Sequence, residues 1–110
     1  SLLNDLAIIK PYQDQDNYSA LHLYPIQVDL ESIDKSRQQI FDELRQSGIG
    51  VNVHYIPIHT QPYYQQFGFQ EGDFPNSEFY YDRAISIPLF HTMTLEQQDE
   101  VVNNLKSILT

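Results

Sequence analysis

The sequence predicts a small α+β domain, a short sheet covered on one face by helices. Three observations predict it. Apolar residues recur at three- and four-residue steps in two stretches, 32–47 and 94–109. Short β-compatible runs fall at 21–30, 49–55 and 84–87. Proline and glycine punctuate the segments between them, with no internal repeat or low-complexity tract.

The elements follow in order. Leu2, Leu3, Leu6, Ile8 and Ile9 are apolar but lack an obvious partner segment, and read as the tail of something upstream. Residues 10–19 (KPYQDQDNYS) are polar and turn-rich, with Pro11 breaking any helix. Residues 1–19 are therefore expected to be the remnant of an interdomain connection, and 20–110 the domain proper. In 21–30, Pro25 shifts the alternation by one residue, which predicts an edge position or a bulge. The helix over 32–47 carries Ile33, Arg37, Ile40, Phe41 and Leu44 on one stripe, with Ser32 or Asp34 as cap and Gly48 as the left-handed stop. Val51, Val53 and Tyr55 alternate with Asn52 and His54, predicting a strand over 49–55. Residues 63–67 are expected to make one helical turn. Pro75 suits the first position of a helix reaching about Asp82. AISI, ended by Pro88, is a short strand over 84–87, and Thr94 with Gln97 forms a capping-box pair for the last helix, whose apolar stripe is Leu95, Val101, Val102, Leu105, Ile108 and Leu109.

Composition bounds the function. The chain has 110 residues, enough for one domain, and its 41% hydrophobic content supports a core. The formal net charge of −9 opposes binding to phosphate backbones and anionic lipid, so neither nucleic acid nor membrane is an expected partner. Cysteine is absent, which excludes disulfides, thiolate metal sites and a Cys nucleophile. No apolar run is long enough for a transmembrane helix, and the start does not read as a signal peptide. The expected compartment is the cytoplasm.

Polar chemistry concentrates in residues 54–64, HYIPIHTQPYY. Two His, three Tyr, a Gln and a Thr fall within eleven residues, stiffened by Pro57 and Pro62. Such a loop suits a polar ligand, and it equally suits a Tyr-rich surface packed over the sheet. A metal site is not expected. His54 and His59 are only two ligands, and His22 and His91 have no local grouping. The DQDN run at 14–17 lacks the glycine and distal Glu of a calcium loop. Ser86 lies in a short apolar strand without a nucleophile-elbow motif, and no phosphate-cradling glycine loop occurs. Lys10, Lys35 and Lys106 all lack a setting that would lower a lysine pKa toward Schiff-base chemistry.

The ordered segments HLYPIQV, QQIFDELRQSGIGVNVHYIPIHTQPYY, GDFPNSEFYYDRAISIPLF and TLEQQDEVV resemble the C-terminal small domain of DegT/DnrJ-type sugar nucleotide aminotransferases. The likeness runs from about Leu21 to the end. It is nearest to the pseudaminic acid branch, which aminates C4 of a UDP-linked 4-keto-6-deoxy-N-acetylhexosamine with glutamate as donor. The resemblance implies a mostly antiparallel sheet of about three strands, the small domain of a fold-type I enzyme. It implies a missing N-terminal large domain that carries the pyridoxal phosphate lysine, and a homodimer of the full-length protein. It places His59 and Tyr63 near the cofactor–substrate adduct, with His54 and Tyr55 lining the pocket or orienting the loop. It implies no catalytic residue in this stretch and no cofactor bound by it alone. The residues themselves leave open a stand-alone small-metabolite-binding regulatory module.

Overall fold

In a computed structural model, which describes residues 2–110, eight short elements follow one another. They are β1 (Ile8–Ile9), β2 (Tyr24–Val28), α1 (Arg37–Gln46), a 3-10 turn (Ile58–Thr60), α2 (Pro62–Gln65), α3 (Pro75–Arg83), β3 (Ala84–Ile87) and α4 (Leu95–Leu109). The strands form an antiparallel sheet of order β1-β2-β3. The α+β class with a small antiparallel sheet is as the sequence predicts.

The core is built by alternation on the strands and stripes on the helices. Ile26 and Val28 on β2 and Ile85 on β3 are fully buried. Ile40 and Leu44 of α1 and Val101, Val102, Leu105, Ile108 and Leu109 of α4 join them in one cluster. Lys35 fastens the two helices, donating to Glu43 Oε2 at 2.7 Å and to the Ile108 carbonyl at 2.9 Å. That places a cation against the last turn of α4, where the helix dipole favours it. The α4 capping box of Thr94 and Gln97 forms as expected, Pro75 opens α3, and Gly48 ends α1 at φ +82°.

Four local expectations change. Ile8 and Ile9 do have a partner: they pair with Val28 and Gln27, and Leu3 is buried in the core. A two-residue strand is too short to show a period, so only its long-range partner defines it. The cap of α1 is Ser36, whose hydroxyl accepts from Gln39 N while Gln39 Oε1 accepts from Ser36 N. Ser32 is engaged elsewhere, its hydroxyl donating to Asp29 Oδ2. The β2–β3 register is continuous through Pro25, without a bulge. Ser86, opposite Pro25, directs both backbone groups away to Asn52, and β1 pairs no further along β2 than Gln27. No ladder bond is therefore asked of the proline nitrogen.

The fourth change concerns 49–55, which contributes a single bridge rather than a strand. Asn52 N donates to Ser86 O at 3.1 Å and Ser86 N to Asn52 O at 2.7 Å. β3 is four residues long and stops before Pro88, so it offers no further ladder. Ile49 and Val51 are still buried, Val53 is half-buried and Tyr55 is exposed, so the alternation serves core packing over its first half only.

Candidate functional site

The bridge at Asn52 delivers the next residues to the rim of the sheet. His54 Nδ1 lies 2.8 Å from Ser86 Oγ. Ser86 alternates with Ile85 along β3, so its side chain belongs to the face away from the apolar core residues of that strand. A polar side chain buried in an apolar strand needs a hydrogen-bonding partner, and His54 provides it. The Tyr55 ring meets the His54 ring edge-on at 4.7 Å, and the peptide between the two residues is cis. His54, Ser86, Asn52, Gly50 and Glu100 border a hollow of about 450 Å³.

Further on, the chain tightens into the 3-10 turn. His59 is 7% exposed, and its Nε2 lies 2.6 Å from Glu78 Oε1 on α3. Its ring tilts against Phe74 at 4.9 Å. A second hollow, of about 380 Å³, is lined by Ile58, His59, Tyr64, Phe69, Phe74 and Ser77. Tyr63 stands largely exposed on α2, edge-on to Tyr64 at 5.1 Å and to Phe67 at 5.5 Å.

The four residues singled out from the sequence therefore fall into separate settings. His54 and Tyr55 pair at the β3 rim, His59 is anchored to α3, and Tyr63 presents its phenol outward. Neither hollow counts Tyr55 or Tyr63 in its lining. Sequence reasoning weighed Ser86 only as a nucleophile and passed over Glu78. Ser86 signalled itself as the lone polar residue in AISI; Glu78 gave no local signal, because its partner lies 19 residues away.

Another feature emerges when charge is followed along the chain. From residue 46 to residue 70 there is no Asp, Glu, Lys or Arg, in a protein where 19% of residues carry such charges. Tyr55, Ile56, Ile58, Tyr63 and Phe67, all within this stretch, are more than half exposed. Protein interfaces are likewise poor in charge and rich in aromatic residues.

Electrostatics at the anchor are directional. The Glu78 carboxyl is held below the ordinary glutamate range, first by the hydrogen bond from His59 and then by that from the Gly72 backbone. A depressed value in the folded state stabilises the ionised anchor above the ordinary range. That contribution is lost as pH falls through the depressed value. In a carboxyl ¹³C titration, His59→Ala is expected to move the Glu78 midpoint upward. An unchanged midpoint would show that the imidazole is not the main cause.

The three lysines are placed away from both hollows. Lys35 is taken up between α1 and α4, Lys10 donates to Asn4 Oδ1, and Lys106 is exposed on α4. Among the described residues no cluster of three His, Cys, Asp or Glu is suited to a metal, and no helix is long and apolar enough to cross a membrane.

Comparison with known proteins extends these observations. The model of the DegT/DnrJ/EryC1/StrS aminotransferase family matches residues 1–106. The uncharacterised protein MJ1066 of Methanocaldococcus jannaschii is 40% identical over 92 residues, covering 83% of this chain and 24% of that protein. The spore coat polysaccharide biosynthesis protein SpsC of Bacillus subtilis is 39% identical over 104 residues, covering 93% of this chain and 27% of its own length. The chain thus spans about a quarter of these curated relatives. Among solved structures, the candidate sugar aminotransferase Spr1654 of Streptococcus pneumoniae, solved in apo, PLP and PMP forms, superposes with a TM-score of 0.85 at 26% identity. The match covers 97% of this chain and 27% of that one. PseC of Helicobacter pylori, an aminotransferase of pseudoaminic acid biosynthesis, shares the fold at TM-score 0.85 and 24% identity, covering 98% of this chain and 29% of that one.

Proposed function

The chain belongs to the DegT/DnrJ/EryC1/StrS aminotransferase family, and on that premise we propose that it is the C-terminal small domain of a longer sugar aminotransferase. The observation that carries this reading is the family match from residue 1 to 106 by a chain only about a quarter as long as its relatives. Residues 1–19 lead in from a large N-terminal domain and lend Leu3 and β1 to the small domain that 20–110 build.

The longer protein moves an amino group from glutamate to C4 of a UDP-linked 4-keto-6-deoxy sugar, in the cytoplasm, for a surface glycan of the pseudaminic acid type. SpsC, named for a coat polysaccharide, supports the glycan role, and the fold likeness to PseC is in keeping with the branch. Pyridoxal phosphate supplies the electron sink of the reaction. As the family resemblance implies, its lysine comes from the large domain; none of the three lysines here lies at the 54–64 loop. This chain alone holds no cofactor and is not catalytic.

Its part is to supply a wall. The uncharged aromatic stretch of 46–70 suits a surface covered by the large domain or by the second subunit of a homodimer. Tyr55 and Tyr63 offer phenols, and His54 and His59 imidazoles, toward sugar hydroxyls or an amino-acid carboxylate without adding a competing amine. Such groups position a substrate and help to exclude water.

The experiment is to read the coding sequence upstream of Ser1 and assay the encoded protein. The frame is expected to continue for a domain containing the cofactor lysine, and the longer protein to aminate a UDP-4-keto sugar with glutamate. The 110-residue chain is expected to show no cofactor absorbance. A start codon at or just before Ser1, or a lysine-linked cofactor band fixed on the short chain by borohydride, would overturn this reading. The start codon would leave the stand-alone binding module as the alternative.

A further inference from the structure

Glu78 sits in the first turn of α3, and one of its oxygens meets two partners. Oε1 lies 2.6 Å from His59 Nε2 and accepts from the Gly72 backbone N–H at 2.7 Å. The carboxylate is about one-fifth exposed and the imidazole less. Gly72 reaches it at φ +94°, a conformation that glycine adopts without strain. One atom therefore joins the 3-10 turn, the loop at 72 and helix α3. The second wall of the His59 cage is the Phe74 ring.

An imidazole with a carboxylate at Nε2 keeps a proton on that nitrogen whether the ring is neutral or charged. Nδ1 is then the only nitrogen left for another hydrogen bond, and among the described residues nothing takes it. We propose that Glu78 is a positioning residue: it fixes the His59 proton on Nε2, turns Nδ1 over to whatever borders the loop, and holds the 55–64 rim in one geometry. The clamp is read from distances alone. Its bearing on catalysis rests on the reading that this rim lines a sugar aminotransferase cleft.

The geometric part is tested on the 110-residue chain by long-range ¹H–¹⁵N correlation of the imidazoles and by amide exchange. Above the histidine titration, wild-type His59 is expected to carry its proton on Nε2. Glu78→Gln keeps an acceptor oxygen and should preserve both this tautomer and the protection of the Gly72 amide. Glu78→Ala should mix the tautomers and speed Gly72 exchange about tenfold or more. Unchanged exchange at Ile26 and Ile85 confirms that the core of that variant is intact. A wild-type proton on Nδ1 overturns the proposal, and this measurement stands even if Glu78→Ala fails to fold. So does a Glu78→Ala variant with both readouts unmoved.

The catalytic part is tested on the longer protein. Glu78→Ala is expected to lower kcat/KM about tenfold or more, with Glu78→Gln restoring most of it. Altered tautomers with full activity would overturn the positioning role. A longer protein with no aminotransferase activity at all would overturn the function reading instead, with the clamp data unaffected.

Discussion

Leu44→Ala is expected to destabilise the domain by about 2–5 kcal/mol, the range for a buried leucine that leaves a cavity. Leu44 is fully buried on the inner stripe of α1, within the cluster that includes Leu105, Ile85 and Val51. These neighbours come from three other parts of the chain, so no single shift refills the space. A domain of this size has a total stability of about 5–15 kcal/mol, so the loss takes a large share of it. Urea unfolding checks the expectation: the midpoint should fall while the slope stays constant. Leu95→Ala provides the contrast: Leu95, expected on the apolar stripe of α4, is instead 78% exposed, and its replacement should change stability by about 0.5 kcal/mol or less. Equal effects at the two positions would contradict the core described here.

Removing residues 1–10 should be nearly as damaging. The deletion takes away Leu3, whose burial is worth about 1.5–3 kcal/mol, together with the β1 ladder on β2. It also turns β2 from a central strand into an edge strand. The freed edge presents unpaired N–H and C=O groups, and such edges recruit other chains. The shortened protein should unfold at lower urea and self-associate with rising concentration in sedimentation velocity. A shortened protein with the parent's midpoint and a sharp monomer boundary would show that the N-terminal segment is dispensable.

Local chemistry made much of the fold legible. Thr94 with Gln97, Pro75 at the head of α3 and Pro88 after β3 act within four residues of where they stand, and each marked its boundary. Long-range partnerships were not legible. Ile8–Ile9 is defined only by β2, and the alternation of 49–55 met a partner strand too short to pair with it. The α1 cap is Ser36 rather than Ser32 or Asp34, and the Ser32 hydroxyl is bonded to Asp29. The same division holds at the candidate site. Residue types pointed to 54–64, but burial there is decided at a distance: Ser86 receives His54 and Glu78 receives His59. The two histidines look alike in sequence and differ in the element to which each is tied.

The double attachment at Ser86 has a mechanical consequence. Its backbone grips Asn52 and its hydroxyl meets His54, two residues further along. One such joint would act as a pivot; two side by side act as a bracket that resists swivelling as well as sliding. The stretch from His54 to His59 is therefore carried between two supports, β3 at one end and α3 at the other, with Tyr55 just inside the first. A load on that span near Tyr55 is passed into β3, whose Ile85 is embedded in the core. The rim can then bear on a neighbouring surface without its root giving way.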